Sequence, residues 1–196
     1  MTARSVFAAL AFSLFAASGA SAADEGAFAK GSIAKNWNLL GQENAVFTGK
    51  VVDILCELSG DCPADCGGGA RQLGILRDAD SALVLVSKNG QAAFNGAVPD
   101  LLPYCGKQVE VDGLLTGLPD YTAAKVYQIQ FIREVGAEKF EKTNKWTKDW
   151  NAKHPDEAKI KEPWFRKDPR INSRIEANGH LGLGREADEA YAKENF

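Results

Sequence analysis

Three of the four cysteines fall within the eleven residues Cys56-Glu-Leu-Ser-Gly-Asp-Cys62-Pro-Ala-Asp-Cys66, and the fourth, Cys105, closes a short apolar segment. Sulfur at this density supports three chemistries. Paired sulfurs form structural disulfides. Thiolates ligate Cu(I) or Zn(II), and four of them complete a tetrahedral set. A thiolate of depressed pKa carries out thiol–disulfide exchange. Which of these applies depends first on compartment, because paired cysteines persist in oxidising spaces.

The first 22 residues supply the compartment. Arg4 gives a positive start, Val6 to Ala17 is apolar apart from Ser13, and Ala20-Ser21-Ala22 is a small-x-small cleavage site. This is the pattern of a secretory signal peptide cleaved after Ala22, too short and wrongly flanked for a membrane span. The expected location of the mature chain is periplasmic or secreted. No later segment has the apolar length of a membrane span. Residues 23–196 carry 22 basic and 26 acidic side chains, so no basic face is expected and nucleic acid is a poor partner. Charge is uneven: residues 23–136 hold 9 basic and 14 acidic residues, whereas residues 137–196 hold 13 and 12 with few apolar ones. The expected organisation is an N-terminal arm over 23–44, a compact domain over 45–136 and a charged, partly helical tail over 137–196.

Five runs within 45–136 read as strands. The first, Val46 to Cys56, changes phase: Phe47, Gly49 and Val51 share one parity, and Val52, Ile54 and Cys56 the other. Such a change suggests a bulge or strong coil that lets one strand serve two sheets. Gln72–Leu76, Leu83–Ser87, Val109–Leu115 and Val126–Ile132 come next, the last with Tyr127, Ile129 and Phe131 on one face. Between the third and fourth runs, Val98, Leu101, Leu102 and Cys105 mark one face of a helix of one or two turns, with Pro103 limiting its length. In the arm, Trp37, Leu39 and Leu40 are the residues expected to dock on the domain.

This order of elements resembles the OB-fold, a five-stranded Greek-key barrel with a helix between strands three and four. Phe47-Thr48-Gly49-Lys50-Val51 and Gln108-Val109-Glu110-Val111-Asp112-Gly113 are similar to phrases of small periplasmic bacterial OB-fold proteins, over roughly residues 45–136. The resemblance implies a mainly β fold and little about function. The cysteine-rich loop departs from the pattern of those proteins.

In such a barrel, the loop after the first strand and the helix after the third lie at one end, so all four cysteines can meet. Three pairings are open; Cys56–Cys105 and Cys62–Cys66 are expected, since Cys56 and Cys105 should both face the barrel end. The alternative is a copper or zinc site formed by Cys56, Cys62, Cys66 and Cys105. Cys62-Pro-Ala-Asp-Cys66 resembles the Cys-Pro-x-x-Cys segment of Sco-type copper and thiol proteins, in which a thioredoxin fold holds the cysteines and a distant histidine completes the site. Here His154 or His180 would have to reach across from the tail, and Gly67-Gly68-Gly69 argues against a helix start. A thiol oxidoreductase is the third reading; Glu57, Asp61 and Asp65 oppose it by raising thiol pKa values.

The remaining constellations carry bland readings. His154 and His180 read as solvated, Asp61 and Asp65 as turn residues, and Asp53 and Asp112 as the outer face of a strand. Gly67 to Arg71 lacks the following helix that an anion loop needs. In the tail, residues 137–153 can be helical, Trp146 and Trp150 can dock together, and Arg185–Asn195 can form a last helix. Trp146, Trp150, Trp164, Phe165 and Arg166 are large groups in a segment too charged to form its own core, and a protein partner or the chain's own barrel is expected to cover them. The sequence therefore reads as an exported, non-enzymatic binding or accessory protein without a cofactor, with a disulfide-stapled barrel and a partner-docking tail. A periplasmic redox or respiratory enzyme is the candidate partner.

Overall fold

The computed structural model describes residues 25–88, 95–118 and 125–195, so the expected signal peptide lies outside the described residues. The central strand, β1 (Glu43–Asp53), changes partner along its length. Residues 43–50 pair antiparallel with β4 (Gln108–Thr116), and residues 49–53 with β2 (Leu73–Arg77). β2 continues to β3 (Leu83–Ser87), and β4 to β5 (Val126–Glu134), both antiparallel. A parallel contact of Val86 with Tyr127 joins β3 to β5 and closes a five-stranded barrel in the order β1-β2-β3-β5-β4. The arrangement is compatible with an OB-like barrel. A short β6 (Glu141–Lys142) extends the β5 edge.

Alternation on β1 fills the interior: Ala45, Phe47 and Val51 are buried, along with Ile75, Val84, Val86, Val109, Val111, Leu115, Tyr127, Ile129 and Ile132 from the other strands. Phe47 and Tyr127 meet at 4.8 Å, and the buried Tyr127 hydroxyl donates to the Ala45 carbonyl at 2.8 Å. The register shift lies not in β1 but between Asp112 and Gly113 of β4, where Gln130 is left over on β5. One extra residue reverses the facing of the strand beyond it. Phe131, expected beside Tyr127 and Ile129, therefore turns outward onto Phe140, and Ile132 takes the interior position. Gly113 is required there, since a Cβ would collide with the Gln128 carbonyl.

The first run does not reach Cys56 as a strand. It ends at Asp53, whose carboxylate accepts from the Leu55 and Cys56 N–H groups and starts helix α1 (Ile54–Ser59); Gly60, in the left-handed conformation, stops it. The apolar segment after β3 forms a short helix, α2 (Val98–Leu101), followed by a tighter turn over Leu102–Tyr104. Val98 and Leu101 are buried against the barrel interior.

Asp112 faces outward from β4, as expected, but the arm covers it, whereas Asp53 ends β1 as the acceptor that caps α1. Both are buried acceptors. Asp112 receives the Ser32 hydroxyl and the Ile33 N–H, each at 2.6 Å, while Gln130 exchanges two bonds with the backbone of Lys35. These bonds fasten the arm along the β4–β5 face. Phe28 adds an edge contact to Phe47 at 5.8 Å, and Trp37 turns inward, whereas Leu40 is 71 % exposed.

Beyond β6 the chain forms α3 (Lys145–Lys153), α4 (Trp164–Lys167), α5 (Pro169–Asn178) and α6 (Arg185–Asn195). Residues 137–144, expected to extend the first of these helices, instead contain β6. The Thr143 N–H donates to the Gln130 carbonyl, which keeps this segment in the sheet's hydrogen-bond network. Among the described residues, no helix is long and apolar enough to cross a membrane.

Candidate functional site

The cysteine loop, a cavity beside α2 and the aromatic tail are the three places where chemistry-bearing residues converge. In the loop, all four sulfurs are bonded: Cys56–Cys62 and Cys66–Cys105 are disulfides. The pairing differs from the expected Cys56–Cys105 and Cys62–Cys66. The cause is local: because the chain turns into α1 at Asp53, Cys56 leaves the barrel end and comes within 4.5 Å (Cα to Cα) of Cys62. Cys66 is then the buried sulfur that faces Cys105. Bonded this way, Cys56, Cys62, Cys66 and Cys105 have no thiolate to offer copper or zinc, and among the described residues no group of His, Cys, Asp and Glu is arranged to hold a metal ion.

Arg71 organises the rest of this loop. It donates to the Asp61 carboxylate at 2.7 Å, the Asp61 carbonyl at 2.8 Å and the Asp53 carboxylate at 3.3 Å. Asp61 and Asp53 are thus partners of one guanidinium. Asp65, Cys66, Gly67 and Gly68 all have positive φ, a left-handed turn that glycine adopts freely at 67 and 68 and that Asp65 and Cys66 adopt under strain.

The cavity has a volume of about 150 Å³ and lies between the arm, the end of β3, α2 and the start of α3. Trp37 and Trp146 line it with aromatic surface, and Lys88, Asp100, Thr143 and Asn144 line it with polar groups. The Lys88 ammonium donates to the Ile129 carbonyl and to Thr143 Oγ1, each at 2.7 Å, and sits 5.6 Å from the Trp37 ring centre. Asp100 is only 2 % exposed; one carboxylate oxygen accepts from the Lys145 N–H at 3.2 Å, and the other, Oδ2, is buried with no hydrogen-bond partner among the described residues. Asn144 Oδ1 is a second buried acceptor without a donor among them. Burial pulls the Lys88 pKa down to about 8 against a smaller opposing pull from Asp100, and burial pushes Asp100 upward. The two shifts share one cause: each charge is poorly solvated, and the other relieves this only partly.

The tail residues come together mainly with one another. Trp164 lies 5.7 Å from Trp146 and 6.1 Å from Trp150, so the two α3 tryptophans meet through Trp164 and not directly. His154 stacks on Trp150 at 4.6 Å, and Phe165 meets Trp164 edge-on. Trp150 is 4 % exposed; Trp146, Trp164 and Phe165 are half-buried, and Arg166 is exposed. His154 is therefore half-buried against an indole, whereas His180 is exposed.

Asp168 locks this cluster. Its buried carboxylate accepts from Trp150 Nε1 and Arg170 Nη2, each at 2.7 Å, and from the Arg170 N–H at 2.9 Å, which also caps α5. Chiefly through the Arg170 side chain, and also through the Trp150 indole, its pKa is held far below the ordinary carboxylate range, with burial opposing. A carboxylate depressed on folding contributes stability above its unfolded value, about 3.9, and loses it as pH falls toward the folded value. Asp168→Asn should remove an acid-dependent component of tail stability. Below about pH 4 the parent's tail tryptophan fluorescence should shift while the variant's stays flat. Identical acid transitions in the two proteins would disprove the assignment.

No protein-family model, curated protein or solved structure matches the chain. The cavity residues Trp37, Lys88, Asp100, Thr143 and Asn144 were not legible as a set. The available signals were Asp100 inside the apolar phrase Val98-Pro-Asp-Leu-Leu and Lys88 at the end of an apolar strand; each alone reads as ordinary solvent exposure.

Proposed function

We propose that this chain is an exported, non-enzymatic binding or accessory protein: a Greek-key, OB-like barrel made rigid by two disulfides, with a C-terminal region that docks a protein partner in the periplasm. The observation that carries the reading is the distal part of the tail. α5 and α6 form a hairpin whose connecting loop is held by Asp188, which accepts from the Leu181 and Leu183 N–H groups at 2.6 and 3.1 Å. That loop is ordered by side-chain bonds, yet it presents Leu181 and Leu183 to solvent at 53 % and 62 % exposure, with Tyr191 exposed on α6. Large apolar groups on a fixed, otherwise polar element are the usual anchors of an interface. Trp150 is tied to the start of this hairpin through Asp168, and Phe165 and Arg166 lie on α4 just before it. A respiratory or redox enzyme is the partner class that the compartment favours.

The test is site-specific photo-crosslinking in intact cells. A photo-reactive residue at position 183 should yield one discrete adduct, and the same residue at the exposed barrel position 50 should not. Leu181→Ser with Leu183→Ser should abolish an adduct formed from position 191. If positions 183 and 191 give no adduct, or the same diffuse pattern as position 50, the hairpin is not the docking element.

A further inference from the structure

The two disulfides differ in what surrounds them. Cys66 is buried and Cys105 is half-buried against the core, whereas Cys56 is half-buried and Cys62 is exposed. The Cys56–Cys62 bridge begins on α1, and no residue of that helix is buried. Two of its six residues are large apolar groups left in solvent: Leu55 is 48 % exposed and Leu58 71 %. They stand three apart and share one face of the helix. A helix with its side chains is only about 10–12 Å across, so a surface laid over Leu55 and Leu58 also reaches the bridge.

The shape of this loop does not rest on its sulfurs alone. The Asp53 carboxylate accepts from the Cys56 N–H and starts α1, and Gly60 ends it. Arg71 joins Asp53 to Asp61, the residue before Cys62. None of these bonds involves sulfur, so they keep Cys56 and Cys62 neighbours when the bridge is open. The bridge spans only 6 residues, and opening it frees little chain. Opening Cys66–Cys105 would free a span of 39 residues and disturb the core. One bridge is therefore built to open and close on a standing fold, and the other is not.

We propose that Cys56–Cys62 is an exchangeable disulfide, reduced by a dithiol protein of the same compartment that docks on Leu55 and Leu58. The partner's thiolate attacks the exposed Cys62 Sγ and forms a mixed disulfide, and Cys56 leaves as a thiolate that takes up a proton. The partner's second thiol, losing its proton, then attacks the partner sulfur of the mixed disulfide and releases Cys62, which is protonated. Two electrons and two protons pass to this chain, and the partner's two thiols become a disulfide. The attacking thiolate is the partner's, so no depressed thiol pKa is needed here despite the acidic neighbours Glu57 and Asp65. A small thiol has no use for an apolar surface beside the sulfur, whereas a protein does. The α5–α6 hairpin takes no part in this site.

The experiment uses the full mature chain in its oxidised form and two reductants: dithiothreitol, which needs no docking surface, and thioredoxin kept reduced by its reductase. Free thiols are alkylated at intervals and located by peptide mass. Both reductants should open Cys56–Cys62 first, with Cys66–Cys105 still closed once the first bridge is fully reduced. The circular dichroism of the barrel should not change at that stage. Leu55→Ser with Leu58→Ser should slow reduction by thioredoxin about tenfold, the loss of a modest interface anchor, and leave the dithiothreitol rate as in the parent. Both side chains are exposed, so this variant keeps the fold. Equal reduction rates at the two bridges, or loss of the barrel signal when the first opens, would overturn the exchangeable bridge. A thioredoxin rate that the double variant leaves unchanged, or a dithiothreitol rate that falls with it, would overturn the docking role of Leu55 and Leu58. A hairpin that fails to crosslink leaves these outcomes unchanged, so the two readings fail separately.

Discussion

Removing the Cys66–Cys105 bridge by Cys66→Ser with Cys105→Ser is expected to lower stability by about 4 kcal/mol, and removing Cys56–Cys62 by the equivalent pair by about 2 kcal/mol. The difference comes from loop length. The first bridge spans 39 residues and the second 6, and the entropy that a cross-link removes from the unfolded chain grows with the logarithm of that span. The first bridge also enters the core, because Cys66 is buried and Cys105 packs against the core beside it. Some of the loss is offset when the left-handed backbone at Asp65 and Cys66 relaxes, since each non-glycine residue held there costs roughly 1–2 kcal/mol. Paired serines avoid a leftover thiol that could form a wrong bridge. Urea unfolding of the two double variants measures the difference. Equal losses would mean that Cys66–Cys105 does not constrain the unfolded chain as its span requires.

Trp150→Ala is the second large effect, at about 3–5 kcal/mol for a buried tryptophan. Its indole packs against Trp164 and His154 and donates to Asp168, so removal opens a cavity and takes a donor from a buried carboxylate. The loss should stay local. α3, α4 and α5 meet at this cluster, while the barrel has its own core around Phe47, Tyr127 and Ile129. Hydrogen exchange should show amides of residues 145–178 losing protection, with β1 to β5 close to the parent. Loss of protection in the barrel strands would mean that tail and barrel unfold as one unit.

The strands are legible because alternation is a local signal: Leu83–Ser87 has the same limits in sequence and structure, and the others agree within two residues, apart from the first, which begins and ends three residues earlier than expected. Its end is misread for a reason visible in the same residues. Asp53 and Gly60 are a helix start and stop around Ile54–Ser59, but Val52, Ile54 and Cys56 also fit the alternation of a strand. Choosing the strand places Cys56 at the barrel end and gives the wrong disulfide pairing. The bulge at Asp112 and Gly113 is illegible, because nothing in Tyr127 to Ile132 marks Gln130 as the extra residue. The cavity is illegible for a different reason. Trp37, Lys88, Asp100 and Asn144 meet only after the barrel has closed, so no window of sequence contains more than part of the set. The tail tryptophans are legible as residues needing cover, and Trp164 and Asp168 provide much of it from within the tail.

The two bridges are consecutive along the chain: Cys56 joins the next cysteine, and Cys66 joins the one after it. They neither nest nor cross. A polypeptide delivered N-terminus first presents its thiols in that same order, so an oxidant that joins each newly arrived cysteine to the one still waiting produces the native pattern directly. Cys66 must then wait for 39 further residues, long enough for β2, β3 and α2 to appear before the ring is closed. The topology thus removes the need for a reshuffling catalyst. Under the export proposed above, formation of the correctly bridged protein should be insensitive to loss of disulfide isomerase activity and sensitive to loss of the oxidant alone.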